Sequence, residues 1–184
     1  LLVEDGKIKD IGPAQKFSQE GFQLAVCQHQ PDYLMVPGFI DTHVHSPQLD
    51  IIGSYGEQLL DWLNKYTFPA EARYADVAYA ATSAVAFLDS LLDAGTTTAL
   101  VFATSHLQAT DQLFEAANEK GMRLIAGKVL MDQNALLEIL DTAVGGIADS
   151  ETLINKWHGK GRLGYAITPR FAGSSSVQQL QLAG

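Results

Sequence analysis

The chain has 184 residues, 47% of them hydrophobic and 18% charged, and its mean hydropathy of +0.04 is typical of a soluble globular protein. Twelve basic and 21 acidic side chains give a net charge of −9, which argues against broad binding to nucleic-acid phosphates. No apolar run approaches the roughly 20 residues of a membrane span. The single cysteine, Cys27, cannot form an internal disulfide and favours a reducing, cytoplasmic compartment.

The first part of the chain reads as short strands. Residues 1–11 predict a hairpin, because two apolar runs flank the turn signal Asp5-Gly6. A second strand-like stretch covers residues 22–27. An apolar run over residues 34–45 is then broken by Pro37-Gly38 and ends in a cluster of polar side chains.

From residue 39 onward, strand patterns alternate with helical patterns. The predicted strands lie near residues 39–45, 97–103, 123–130 and 164–169. The predicted helices cover residues 57–65, 76–92, 110–120, 136–142, 150–158 and 174–183. In the fifth of these helices, Ser150 is the expected N-cap.

This alternation predicts an α/β fold with right-handed crossovers and a parallel sheet buried on both faces. Four β/α units suit the first half of an eight-stranded TIM-type barrel, which typically needs about 250 residues. An open doubly wound sheet is the structural alternative. Against it, no glycine-rich phosphate-binding turn follows the first strand.

Two histidines at the end of the first predicted strand indicate a metal site. His43 and His45 are two residues apart, so on an extended strand they point to the same face. An imidazole pair suits Zn, Fe or Ni and leaves further ligands to come from elsewhere. Asp41, on the same face, is expected to orient an imidazole. The alternative is a chance pair of half-exposed histidines.

Residues 37–45, Pro-Gly-Phe-Ile-Asp-Thr-His-Val-His, resemble the first-strand metal motif of the amidohydrolase superfamily. The hairpin before it resembles the small β-sandwich that flanks those barrels. Three further blocks, residues 55–69, 95–101 and 165–171, are similar to the guanine deaminase family. This resemblance implies a partial β-sandwich subdomain over residues 1–36 and the first four β/α units of a barrel over residues 37–184.

The same resemblance assigns site residues. It implies one zinc ion bound by His43 and His45, a purine contact from Gln48, and a grip on guanine by Arg170 and Phe171. The chemistry agrees, because arginine offers forked donors, an aromatic ring offers a stacking face, and an amide both donates and accepts. The alternatives are a surface or ion-paired Arg170, a Phe171 that fills the core, and a Gln48 that is only a loop residue. We place His106 outside the site, at a rim or helix start.

The implied reaction is hydrolytic deamination of guanine to xanthine and ammonia by a zinc-activated water. In the family, the remaining ligands and the acid/base carboxylate come from strands five, six and eight. None of the 13 residues after Phe171 is His, Asp or Glu. We therefore expect the N-terminal portion of a cytoplasmic, homodimeric guanine deaminase that is inactive alone and binds neither nucleic acid nor membrane.

Two other functions remain open from the sequence. The chain could belong to an amidohydrolase that deaminates pterins, triazines or adenosine-like substrates. It could also be a non-catalytic half-barrel that binds a partner through an exposed sheet edge, because an unpaired edge is a template for pairing.

Overall fold

The computed structural model describes residues 1–19 and 28–184, which divide into two compact units, Leu1–Pro37 and Gly38–Gly184. In the first unit, β1 (Leu2–Glu4) pairs antiparallel with β2 (Lys7–Asp10), and α1 (Ala14–Gln19) follows.

The hairpin prediction is confirmed, and its turn has a local cause. Asp5 and Gly6 both have positive φ, 51° and 71°, as a two-residue turn of the type I′ class requires. The strand predicted over residues 22–27, including Cys27, lies outside the described residues. The assignment of residues 1–36 to a partial β-sandwich stays a prediction.

The second unit alternates strands and helices. Its regular elements are β3 (Phe39–His45), α2 (Leu59–Trp62), α3 (Phe68–Ala72), α4 (Val77–Asp93), β4 (Thr96–Phe102), α5 (Leu107–Glu119), β5 (Arg123–Gly127), β6 (Val129–Leu130), α6 (Ala143–Trp157), β7 (Leu163–Tyr165), β8 (Thr168–Pro169) and α7 (Val177–Ala183). A π-helical turn, Leu63–Thr67, joins α2 to α3. Short 3₁₀ turns cover Ser46–Ile51, Arg73–Ala75 and Leu137–Ile139.

Four strands form one parallel sheet in the order β3-β4-β5-β7, and β6 pairs with β8 in a second, two-stranded parallel sheet. The order of the larger sheet follows the chain without a reversal. A doubly wound sheet reverses its strand order at the ligand crevice, whereas a barrel adds each strand beside the last. The topology therefore favours the barrel over the doubly wound alternative.

The third and fourth predicted strands are each interrupted, and a glycine explains where. Lys128 separates β5 from β6, while Ala166 and Ile167 separate β7 from β8. A Cβ on Gly127 would lie 2.0 Å from the carbonyl oxygen of Ala166, so the two backbones approach here as only glycine permits. The strands pair again on the far side of this contact.

The core lies between the larger sheet and α4, α5 and α6. Alternate residues of β4 and β5 are buried in it, and the ring of Phe114 stacks 5.9 Å from Trp157 and 6.0 Å from Tyr165. The expectation of a sheet buried on both faces is wrong for this chain, since Ile40 and Leu100 are exposed. The helical core covers one face of these strands.

Two helix predictions are corrected in the segment before and within α6. The N-cap of α6 is Thr142, whose Oγ1 accepts a hydrogen bond from Gly145 N at 3.0 Å. Ser150 lies within α6 and donates to the carbonyl of Gly146, so it is not a cap. The helix predicted over residues 136–142 is a single 3₁₀ turn, Leu137–Ile139, which ends at the extended backbone of Leu140.

Candidate active site

Two imidazoles meet where β3 ends. Val44 packs against the helical core, so the strand alternation turns its neighbours His43 and His45 together toward the other face. Their Nε2 atoms lie 3.3 Å apart, and the rings meet edge to face at 5.1 Å. Phe102 of β4 packs beside both, with centroids 5.1 Å from His43 and 5.0 Å from His45.

This spacing fits two ligands of one metal ion. Two nitrogens on a tetrahedral zinc lie about 3.3–3.4 Å apart, because each Zn–N bond is about 2.0–2.1 Å long. The observed separation of the two Nε2 atoms is 3.3 Å. Among residues 1–19 and 28–184, no group of three or more His, Cys, Asp or Glu side chains is placed to hold a metal. The described chain therefore offers a pair of ligands.

His45 is chemically ready to act as a ligand. Burial, then the electrostatic influence of Arg170 and of the neighbouring imidazole of His43, lowers the pKa of His45 from 6.5 to about 4. A neutral imidazole keeps the lone pair that a metal requires. Its Nδ1 is buried and, within the described part of the chain, has no hydrogen-bond partner.

Asp41 does not orient an imidazole, contrary to the sequence-based expectation. Its Oδ1 accepts a hydrogen bond from the backbone N–H of His43 at 3.0 Å. A short carboxylate side chain commonly folds back onto the backbone two residues ahead. Asp41 therefore fixes the strand backbone under His43 rather than a ring.

All five residues assigned from the sequence line a single cavity of about 800 Å³. They are His43, His45, Gln48, Arg170 and Phe171. The cavity is otherwise walled mainly by apolar side chains, including Leu49, Trp62, Leu63 and Phe87. An apolar cleft with a few convergent polar groups is the usual form of a small-molecule site.

Gln48 and Trp62 come from the segment that follows β3. Pro47 occupies the first turn of the 3₁₀ helix Ser46–Ile51, where its missing N–H costs nothing, and the next residue, Gln48, lines the cavity. Trp62, at the end of α2, donates from Nε1 to Ser54 Oγ at 3.0 Å. Both partners line the cavity, so the indole forms part of its wall.

Arg170 follows β8 and is ion-paired. Its Nη1 donates to both Oε1 and Oε2 of Glu71 at 2.6 Å. The guanidinium also lies over the ring of Phe68, 5.4 Å from its centroid. Burial raises the pKa of Glu71, while the charge of Arg170 and its hydrogen bonds act in the opposite direction. Arg170 is thus both ion-paired and part of the cavity wall.

Glu71 was not found by sequence reasoning. Its partner is 99 residues away, so no local spacing indicates the pair. The signal that could have found it is a lone carboxylate in the apolar stretch Phe68–Ala72, because a buried carboxylate needs a partner.

The side chain of Phe171 lines two cavities. It lines the 800 Å³ cavity and also a second one of about 480 Å³, shared with Leu63, Phe68, Asn134 and Gly173.

His106 lies elsewhere, at the N-cap position of α5, as the sequence suggested. Burial and the charge of Lys128 lower the pKa of His106.

Comparisons with known proteins bear on the family and the fold of the chain. The model of the amidohydrolase family matches residues 34–183. The guanine deaminase of Escherichia coli K12 is 50% identical over 186 aligned residues, which cover all of this chain and 42% of that protein. The chain thus spans about two fifths of the length of this relative.

Solved structures show the same likeness. The E. coli guanine deaminase superimposes with a TM-score of 0.88 and 48% identity, covering all of this chain and 42% of that one. A guanine deaminase from C. acetobutylicum, solved with guanine in its active site, gives 0.78 and 34%, covering 80% of this chain and 36% of that one. The expected α/β fold of the TIM-barrel type is confirmed, here as part of a barrel. This chain belongs to the amidohydrolase family, whose members are generally metal-dependent hydrolases.

Proposed function

We propose that the chain is the purine-binding, metal-ligating portion of a guanine deaminase, which converts guanine and water to xanthine and ammonia. One observation carries this: His43, His45, Gln48, Arg170 and Phe171 converge on one cavity. The 50% identity to a guanine deaminase and the guanine bound in the C. acetobutylicum structure support guanine over other heterocycles.

Each side chain has a role that its chemistry allows. The Arg170 guanidinium donates hydrogen bonds to the purine carbonyl oxygen, and the amide of Gln48 donates to and accepts from the purine edge. The ring of Phe171 stacks on the heterocycle. The apolar wall around them displaces water and so strengthens these hydrogen bonds.

The metal in this proposal is zinc, held by the Nε2 atoms of His43 and His45. Zinc bound there would supply Lewis-acid chemistry. The 3.3 Å separation and the lowered pKa of His45 support this pair as ligands. Since the described residues present no group of three ligands, we propose that the 184 residues alone hold zinc weakly and do not turn over guanine.

Location and macromolecular partners are part of the same proposal. Cytoplasmic location is proposed from the single cysteine and homodimer formation from the family resemblance, and the net charge of −9 disfavours nucleic acid. Within the described residues, no single helix is long and apolar enough to cross a membrane; one bent pair, Leu59–Ala75 with Val77–Asp93, qualifies by length and composition only.

Guanine binding is testable through Trp62, which lines the cavity. We expect saturable quenching of tryptophan fluorescence by guanine. Replacing Gln48 with alanine should weaken binding about two- to twelvefold, since a hydrogen bond contributes about 0.5–1.5 kcal/mol. The matched control is Gln178→Ala, an exposed glutamine on α7 outside the cavity. Equal affinities for the two variants would contradict the role of Gln48, and absent quenching would contradict purine binding by this chain.

The ligand pair is testable without turnover. Zinc is titrated into the chain in competition with a chromophoric chelator. H43A and H45A should each lose most of the binding, whereas H29A, which removes an exposed histidine, should match the unaltered chain. Binding that survives H45A would exclude the pair as the site. Ammonia release from guanine by the purified chain would refute the proposed inactivity.

A further inference from the structure

An ion pair almost closed to solvent lies beside the cavity. The side chains of Arg170 and Glu71 are 4% and 1% exposed, and a single guanidinium nitrogen, Nη1, donates to both carboxylate oxygens. Within residues 1–19 and 28–184, Nη1 makes both of these bonds, so Nη2 and Nε remain as donors for another acceptor. Arg170 also lines the cavity, so that acceptor can come from a bound molecule.

One short helix holds this guanidinium from two directions. Phe68 and Glu71 are three residues apart in α3, which places them on the same helix face. The carboxylate of Glu71 meets one edge of the guanidinium, and the ring of Phe68 lies 5.4 Å from the guanidinium carbon. A long, flexible side chain is thereby restricted to one orientation, which removes an ordering cost from ligand binding.

The carboxylate also sets the charge of the cavity wall. An unpaired guanidinium beside a cavity walled mainly by apolar side chains would attract anions, because charge interactions strengthen where the surroundings are less polar than water. Paired with Glu71, the guanidinium keeps its N–H donors while the pair has no net charge. Such a group suits a neutral carbonyl acceptor and gives an anion little advantage.

We propose that Glu71 is a positioning residue that holds Arg170 and cancels its charge, so that the cavity selects a neutral purine over an anionic one. This rests on the proposed function, because it assumes that Arg170 meets the purine. Glu71 itself does not line the cavity and acts through Arg170.

The test uses the 184-residue chain, with guanine as the neutral probe and urate, an anion at neutral pH, as the charged probe. Dissociation constants are measured by tryptophan fluorescence. In E71Q, which keeps the shape and removes the charge, guanine should bind at least tenfold more weakly and urate more tightly. E71D keeps the charge but moves it away from Arg170. In E71D, the affinity for guanine should fall while the affinity for urate stays unchanged.

A second buried pair supplies the matched control. Lys128 is fully buried and paired with Asp141, and neither residue lines the cavity. D141N therefore breaks a buried ion pair without touching the purine site. Its ratio of guanine to urate affinity should equal that of the unaltered chain, even where its melting temperature falls as far as that of E71Q.

A purine-independent measurement keeps the two proposals apart. In the ¹⁵N-labelled chain, the guanidinium of Arg170 should give separate, slowly exchanging signals, assigned with R170K, and these should collapse in E71Q. Retained signals and an unchanged affinity ratio in E71Q would overturn the positioning role. Signals that depend on Glu71, in a chain that binds no guanine, would support positioning and refute the proposed function. Should E71Q fail to fold by circular dichroism, E71D decides: guanine affinity equal to that of D141N would overturn the proposal.

Discussion

A glycine next to Phe171 offers a sharp test of whether that ring forms a wall of the purine site. A Cβ placed on Gly173 would lie 2.8 Å from Cε2 and 3.3 Å from Cδ2 of Phe171. Gly173 has a φ that any L-residue adopts without strain, so alanine perturbs the ring rather than the backbone. We expect G173A to push the ring away from its position beside the cavity.

The size of the effect follows from the contact and from exposure. Carbon atoms in good contact lie about 3.5–4.0 Å apart, so the ring must retreat by roughly 0.7 Å. Phe171 is 39% exposed and can move toward solvent, so the loss of stability should stay below the roughly 1–3 kcal/mol of an overpacked core. Stacking a base on an aromatic ring contributes about 1–3 kcal/mol, which corresponds to about a five- to 150-fold loss of guanine affinity at full loss of the stack.

The assay is guanine titration followed by tryptophan fluorescence, with urea denaturation alongside. F171A gives the limit in which the ring is absent, and G173A should fall between F171A and the unaltered chain. The matched control is G56A, because no atom lies within 4 Å of a Cβ placed there. If F171A weakens binding while G173A and G56A bind alike, the steric reasoning is refuted.

Three further outcomes concern the scaffold and are read from urea denaturation. F114A should lower the free energy of unfolding by about 3–5 kcal/mol, because the ring is fully buried and stacked on two others. L92A changes a partly exposed position and should lower it far less. D141N should cost up to about 3–5 kcal/mol because it removes the nearer partner of buried Lys128; a loss under 1 kcal/mol would show that Asp149, 3.7 Å away, suffices. His106 has a pKa lowered by burial, so the unfolded chain takes up its proton first and stability falls as pH drops below 6.5 toward the lowered pKa. H106Q should make this fall shallower, and an unchanged pH profile would exclude His106 as a contributor.

Local sequence patterns correctly predicted the elements whose structure depends on residues adjacent in the chain. The first barrel strand was predicted over residues 39–45 and is observed as Phe39–His45, with both imidazoles on one face. The Asp5-Gly6 turn likewise needs nothing beyond two residues that tolerate positive φ. In these cases the residues that specify the structure are adjacent in the chain, so one sequence suffices to find them.

Contacts between residues far apart in the chain could not be predicted from such local patterns. The interruption of two strands depends on Gly127 meeting the carbonyl of Ala166, and a strand pattern does not register such an approach. The helix predicted over residues 57–65 continues instead through a π-helical turn into α3, where Pro69 fits the first turn because it needs no N–H there. Neither feature has a local signal strong enough to override the periodicity.

The net charge of the whole chain differs in the same way from the charge at the cavity, which depends on where individual side chains lie. The value of −9 disfavours nucleic acid as a partner, yet it does not describe the cavity. There, the guanidinium of Arg170 is balanced by one buried carboxylate, and His45 stays neutral at physiological pH because its pKa is lowered to about 4. The acidic surplus is therefore not what a purine would meet. In this proposal, the charge that the purine meets depends on Glu71. Its carboxylate counts toward the net charge of the chain, but its position pairs it with a single arginine, Arg170.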